Sequence, residues 1–424
     1  MKSTYLLMVM TFSPALRRML AAQCLVGLGG GIFSVLFNLY LKSGGFQEDA
    51  IGRLLALQSL AAALASIPMG WVADRTSRRT AYLIGLSAIS TGYFLASQTV
   101  ETLPIVLASV IAGCGNGAMM VAVQPFLQEH SHRRQRPYLF SLNFSLVLAM
   151  NILSGFLAGW LPGFFRASGW VGPIDEHRSL QLSLVAGAGF IFLALLPGGR
   201  LSKAAARTVA GGTAEPAAGT TAEAAQAWAL VGRFMLTSAL IGAGAGMIVP
   251  YFNLYFRDWT GASIAQIGTV FALGQMGTAI GGISSPWLAR RAGLANGVVL
   301  TQALSLPFMV IMAWRHEFWL CAVCFIFRGA FMNMSSPLRQ ETLMSTIPAR
   351  FRARASAADA MAWNLAWAGS MFVSGGIIRQ WGYAPCLGVT FACYLASSIL
   401  YYAYFSDTYK HASGGAPGAA RTVS

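Results

Sequence analysis

The sequence predicts an all-α integral membrane protein of about twelve transmembrane helices, arranged as two six-helix, pseudo-symmetric halves. Three observations predict it. Of 424 residues, 56% are hydrophobic and only 10% are charged, against roughly 25% charged in a soluble domain whose surface must face water. The mean hydropathy is correspondingly high, +0.58. Apolar runs alternate with short charged connections, and about 20 apolar residues is the length that crosses the hydrocarbon as a helix. Finally, blocks of sequence recur in register between the first and second parts of the chain, the mark of an internal structural repeat.

Taken in order, the predicted spans are 19–41, 51–73, 80–98, 103–127, 138–161 and 180–197, then 229–256, 264–288, 294–313, 317–340, 355–378 and 383–405. The first follows Arg17 and Arg18, runs to full span length and shows no small-residue cleavage site, so it reads as a retained span rather than a removed leader. Between the two sets, Gly198–Gln226 is rich in Ala, Gly and Thr and holds Pro216; such a composition cannot bury enough apolar surface to fold. The expected organisation is therefore a six-helix half over 1–197, a flexible linker over 198–227, a second half over 228–406 and a disordered tail over 407–424.

An even number of spans puts both termini on one side. Connections on that side hold 20 Lys and Arg, whereas the opposite connections hold 7: Lys42, Arg53, Arg166, Arg178, Arg257, Arg315 and Arg379. Short basic connections stay in the cytoplasm, so termini and linker are expected there and a bacterial inner membrane is the expected location. The same distribution accounts for the net charge of +15. Nucleic-acid binding would instead need basic residues clustered on one solvated face.

All six cysteines lie in apolar segments, including the Cys321-x-x-Cys324 pair, and the five histidines fall in predicted connections with no cysteine at zinc spacing. Buried cysteines of this kind serve as small packing residues, and no metal or cofactor is expected. The spans contain no nucleophile–base pair and the chain no phosphate-binding Gly-rich Lys motif, which argues against an enzyme and against a nucleotide-driven pump.

The repeat is in three blocks. Arg18–Tyr40 aligns with Arg233–Tyr255 at an offset of 215, with Gly27, Gly29 and Gly31 matching Gly242, Gly244 and Gly246, and Phe37-Asn38-Leu39-Tyr40 matching Phe252-Asn253-Leu254-Tyr255. Ile51-Gly52 recurs as Ile267-Gly268, and at an offset of 212 Gly117, Pro125 and Glu129 recur as Gly329, Pro337 and Glu341. Matching the first span to the seventh and the fourth to the tenth makes the halves parallel repeats about an axis along the membrane normal.

The second span ends in Gly70-Trp-Val-Ala-Asp74-Arg75-Thr-Ser77-Arg78-Arg79. This resembles the loop-2/3 signature of the major facilitator superfamily, roughly G-x-x-x-D-R-x-G-x-R/K, and departs from it at Ser77. The resemblance implies a solute carrier working by alternating access, with the first, fourth, seventh and tenth helices around a central cavity and this loop forming a cytoplasmic gate. Physically, Gly70 allows close approach of a neighbouring helix, Asp74 suits a helix N-terminus, and Arg75, Arg78 and Arg79 are placed to meet Glu129 or lipid phosphates. The matching second-half loop lacks the aspartate, so a gate there would rest on Arg290, Arg291 and Glu341, with Asp359 expected in a cytoplasmic ion pair.

Arg328 falls mid-span at the position matching Asn116. An arginine at the bilayer centre costs on the order of 2.5–3.5 kcal/mol on insertion scales and normally faces a cavity or partner; a guanidinium there suits a carboxylate or phosphate. Arg328-Gly329 also resembles the Arg-Gly of the family's fourth-helix motif, displaced into the second half. Gln23, Asn38, Asn116, Gln124, Asn253, Asn333 and Asn364 are candidate hydrogen-bonding contacts, and Phe37, Tyr40, Tyr255 and Trp363 candidate aromatic walls. Asn38 and Asn253 fit a gate equally well, since both sit toward the ends of their helices away from the termini. The expected partners are a small organic solute, anionic or amphipathic, membrane lipids, and a proton or other coupling ion, for a protein acting as a monomer. A drug efflux carrier and a non-transporting sensor of the same fold are the competing readings.

Overall fold

A computed structural model describes residues 11–132, 134–168, 173–201 and 221–413. Among them are twelve long helices. The first six are α1 (Pro14–Ser43), α2 (Glu48–Arg75), α3 (Arg78–Ala96), α4 (Thr102–Glu129), α5 (Arg136–Ser168) and α6 (Glu176–Leu193). The second six are α7 (Thr221–Ile248), α8 (Ile264–Ala292), α9 (Leu294–Trp314), α10 (Phe318–Thr346), α11 (Arg352–Trp381) and α12 (Tyr383–Ser413). A short piece, Leu195–Gly199, prolongs α6, and a 3-10 turn at Val249–Tyr251 leads α7 into the short helix Phe252–Trp259.

Ten of these helices, counting the prolonged α6 and α7, are long and apolar enough to cross a membrane. The other two, α3 with 19 residues and α11 with 30, have the length but fall short in hydropathy. Most helices also run past the predicted spans, because hydrogen bonding within the helix continues beyond the hydrocarbon. Accordingly α7 begins at Thr221, inside the expected linker, and α12 runs to Ser413, inside the expected tail; most of the linker (202–220) and residues 414–424 lie outside the described residues.

Three helix starts are fixed by short polar side chains that accept from otherwise orphaned amides. Ser13 accepts from Leu16 N with Pro14 in the first turn, Ser77 accepts from Thr80 N, and Asp175 accepts from Arg178 N. The Ser77 cap explains the departure from the signature. Its φ of −171° is extended backbone open to any residue, so glycine is not required there. Where a left-handed residue is needed, glycine supplies it: Gly293 has φ +79° between α8 and α9, and Gly382 has φ +77° between α11 and α12.

The chain divides into two compact units. One comprises Met1–Gly211, Tyr251–Gln275 and Met371–Gln380; the other comprises Gly212–Pro250, Met276–Ser370 and Trp381–Ser424. In the first unit α3 packs on α4 and α6, and α1 on α6 and α5. In the second, α9 packs on α10 and α12, and α12 on α7. The pairs α3–α4, α3–α6 and α1–α6 thus recur as α9–α10, α9–α12 and α7–α12, so the sequence repeat is also a packing repeat. The unit boundary differs from the sequence repeat in one respect. The end of α7's extension, the start of α8 and the end of α11 pack with α1–α6. The fit is close where side chains are smallest: a Cβ on Gly268 of α8 would lie 2.5 Å from Gly155 O and Gly159 Cα of α5.

Candidate transport site

The first unit has a polar seal at the end of α1 that carries Lys42. Asn38 is buried and donates to Asn253 Oδ1 at 3.2 Å, while Asn253 donates to Val35 O at 2.8 Å and accepts from Leu254 N at 2.9 Å. One turn further out, Lys42 Nζ lies 2.5 Å from both Glu48 and Asp258. Arg257 pairs with Glu176 at 2.6 Å, and Arg379 with Asp49 at 3.2 Å. Tyr40 donates to Ser97 O at 3.2 Å and stacks on His177, whose ring meets Ser43 Oγ at 2.8 Å. Tyr251 donates to Met371 O at 3.1 Å.

These contacts revise three expectations. Tyr40 and Tyr255 are 1% and 0% exposed, packed against their own surroundings and not open as aromatic walls. Phe37 is buried too. Asn38 and Asn253 direct their amides at each other, because at the tight end of α1 a buried amide must find a protein partner.

At the opposite, arginine-rich end of the first unit, Arg78 lies 2.5 Å from Asp74 and 3.3 Å from Glu129. Arg79 donates to Gly199 O at 2.7 Å, tying α3 to the end of α6. Arg75 sits over the Trp71 ring at 3.7 Å. Asp74 therefore lies beside the start of α3 but is paired through Arg78, since Ser77 already caps that helix. A Cβ on Gly70 would meet nothing within 4 Å, so the close approach expected there is not made; its neighbours Ile67 and Trp71 are 75% and 57% exposed, leaving that face of α2 open.

At the arginine-rich end of the second unit, Arg339 of α10 pairs with Asp359 of α11 at 2.9 Å and donates to Phe234 O of α7 at 2.8 Å. Ser238 of α7 donates to Asp359 at 2.5 Å, and Arg339 also bonds the Ser238 hydroxyl. Asp359 is thus in an ion pair. Its partner Arg339 and the serine between them were not singled out in the sequence, where Ser238 looks like one small residue among many. Glu341, Arg290 and Arg291 are exposed, and among the described residues no ion pair joins them.

The mid-span candidates separate by burial. Arg328 is 6% exposed, and its guanidinium interacts with the Tyr394 hydroxyl of α12. Nearby, Ser398 of α12 donates to Gln302 of α9 at 3.0 Å. In the first unit, Asn116 donates to Ala112 O at 3.1 Å, and the Tyr93 hydroxyl interacts with Asn116 and Gln58. Gln124, Asn333 and Asn364 are exposed, the last two bonding the carbonyls four residues back. Trp363 is half-buried and stacks on Trp367 at 4.9 Å, and Gln23 is half-buried.

Two helices present an open polar stripe. On α4 it runs through Asn116, Met120, Gln124 and Gln128; on α10, Asn333, Ser336 and Gln340 are exposed together. Spacings of four residues on α4, and of three and four on α10, keep each stripe on one helix face. Exposed apolar side chains occupy a different face of α10, at Trp319, Val323 and Phe327. A polar open face and an apolar open face on one spanning helix are what a helix needs to meet water on one side and lipid on the other.

The sequence profile of the Major Facilitator Superfamily matches residues 19–228 and 234–423. The chain belongs to the major facilitator superfamily. It is a membrane transporter of small solutes, not an enzyme. Among characterised relatives, a gallate transporter of Pseudomonas putida is 24% identical over 284 residues, which is 62% of this chain and 62% of that protein's length. Among solved structures, the nucleoside transporter NupG superposes with a TM-score of 0.70 at 17% identity, covering 92% of this chain and 98% of that one. A bacterial homologue of the human lysosomal transporter Spinster, inward-facing and occupied, superposes at 0.72 and 15% identity, covering 92% and 95%. A D-xylose–proton symporter gives 0.67 at 13% identity, covering 92% and 95%. At these identities the structural likeness establishes the two-halved fold of this facilitator, and the repeat of helix pairs described above is its physical expression.

Proposed function

We propose that this facilitator carries a small organic anion, or an amphipathic compound with an acidic group, by alternating access in a bacterial inner membrane. Its termini lie in the cytoplasm, as the excess of 20 Lys and Arg over 7 between the two sets of connections supports. The observation that carries the anionic reading is Arg328. It places a fixed positive charge ten residues into α10, about 15 Å along the helix, where an arginine is retained only for a strong reason. A guanidinium offers two parallel N–H donors to a carboxylate. The likeness to a gallate transporter, whose cargo is an aromatic carboxylate, supports the same class.

In this reading the seal of Asn38, Asn253, Lys42 and Arg257 is a gate that opens and reforms once per cycle. The protein acts as a monomer within the lipid, and a proton or other ion drives accumulation.

The test is a thermal-shift screen of the purified protein against aromatic carboxylates, aliphatic carboxylates, neutral solutes and cationic amphiphiles. It is run on the wild type, Arg328→Lys and Arg328→Gln, and followed by counterflow in proteoliposomes. Stabilisation by carboxylates that Arg328→Lys weakens and Arg328→Gln abolishes, in a variant that still folds, is the expected result. Equal responses of all three proteins, or stabilisation only by cationic amphiphiles, would overturn the anionic reading in favour of a drug efflux carrier. Absence of counterflow with every stabilising solute would favour a sensor.

A further inference from the structure

An exposed apolar stripe runs along α2 through Leu64, Ile67 and Trp71, which are 62%, 75% and 57% exposed, and ends at Arg75. A second runs along α8 through Ile280, Ile283 and Trp287, which are 64%, 82% and 49% exposed, and ends at Arg291. The two are equivalent residue by residue at one offset, since 287 − 71, 291 − 75, 283 − 67 and 280 − 64 all equal 216. In each, the terminal guanidinium lies over the tryptophan ring four residues earlier, at 3.7 Å on α2 and 4.7 Å on α8.

We propose that each stripe is a binding site for one phospholipid, with the acyl chain along the apolar residues and the phosphate on the arginine, and that the α8 site selects a net-anionic headgroup. Length supports this. Eleven residues separate the first and last members of each stripe, about 16 Å of helix, which matches one leaflet of a hydrocarbon core roughly 30 Å thick. The chemistry supports it as well. The tryptophan ring suits the interface between tail and headgroup, and stacking on it holds the guanidinium ready for bidentate contact with a phosphate.

The two sites differ in one charge. Asp74 sits beside Arg75, and the position equivalent to Asp74 in the second stripe is Arg290, because 290 − 74 is again 216. Asp74 is paired to Arg78, so the α2 site carries one available cation and the α8 site carries two adjacent exposed ones. A zwitterionic lipid satisfies the first. The second favours a headgroup with no compensating positive charge.

Native mass spectrometry of the full-length protein, delipidated and then titrated with phosphatidylglycerol, phosphatidylcholine or free glycerol phosphate, tests the proposal. The wild type should retain two phosphatidylglycerol molecules and a single phosphatidylcholine, with no adduct from free glycerol phosphate. Arg290→Gln/Arg291→Gln should weaken the phosphatidylglycerol-selective adduct by about fivefold per arginine removed, from the attraction of each basic residue to an anionic surface. Arg75→Gln should weaken the other adduct only, and Arg291→Lys should restore most of the affinity. Each variant is first checked for an unchanged melting temperature and a monodisperse elution. Wild-type adduct patterns in these folded variants would overturn the proposal. So would equal retention of the two lipids at the α8 site, or competition by free glycerol phosphate, which would mark a soluble-anion site.

Discussion

Asn38 and Asn253 stand 215 residues apart, occupy equivalent places in the internal repeat, and meet each other in a buried hydrogen bond of 3.2 Å. Each repeat contributes the same residue to one contact, so the seal is built from one repeat position used twice. Asn253 also bonds Val35 O and Leu254 N. Replacing Asn253 by alanine leaves buried polar groups without their partner, at about 1–3 kcal/mol. The expected outcome is a lower melting temperature and faster labelling of a cysteine placed beneath the seal. Unchanged labelling in Asn253→Ala would mean the pair does not hold this end shut.

Gly268 faces Gly155 and Gly159 across α5 and α8, where a Cβ would sit 2.5 Å from backbone atoms. Backbone cannot yield as a flexible side chain does, so Gly268→Val should cost about 1–3 kcal/mol as an overpacked contact. Because that contact belongs to the sealed end, transport should fall further than stability. Paired spin labels on α5 and α8 should report a longer distance, and an unchanged distance with full transport would contradict the assignment.

Ser77 supplies the cap of α3 where the family signature carries glycine. Ser77→Ala should cost about 1 kcal/mol, and Ser77→Gly only a few tenths, since glycine is tolerated at a helix N-cap and alanine is not. Chemical denaturation of the two variants side by side measures the difference. Equal loss in both would show that the hydroxyl does nothing at the cap.

Arg339 and Asp359 form a pair that is 13% and 17% exposed. Breaking a buried pair by removing one partner typically costs about 3–5 kcal/mol, because it strands the other charge. Arg339→Leu should therefore destabilise strongly, and the double change Arg339→Leu/Asp359→Leu should recover much of the loss. A melting-temperature cycle over the single and double variants gives the coupling. Additive losses would show that the two side chains act independently.

Hydropathy and repetition gave the spans, the two halves and the membrane class directly, because lipid allows few ways to satisfy a backbone and forces long apolar helices. The Gly70–Arg79 signature gave the family, and the repeat marked Asn38, Asn253, Tyr40 and Tyr255 as related places. What these residues do there was not legible. A helical period tells which residues share a face, not which neighbour that face meets, so Asn38 read equally well as ligand contact and as gate. Ser77 read as a departure and proved to be a cap, and Arg339 and Ser238 carried no signal until α7, α10 and α11 were brought together. Partner choice is decided by distances of a few ångströms between helices far apart in sequence, and only the packed structure fixes those.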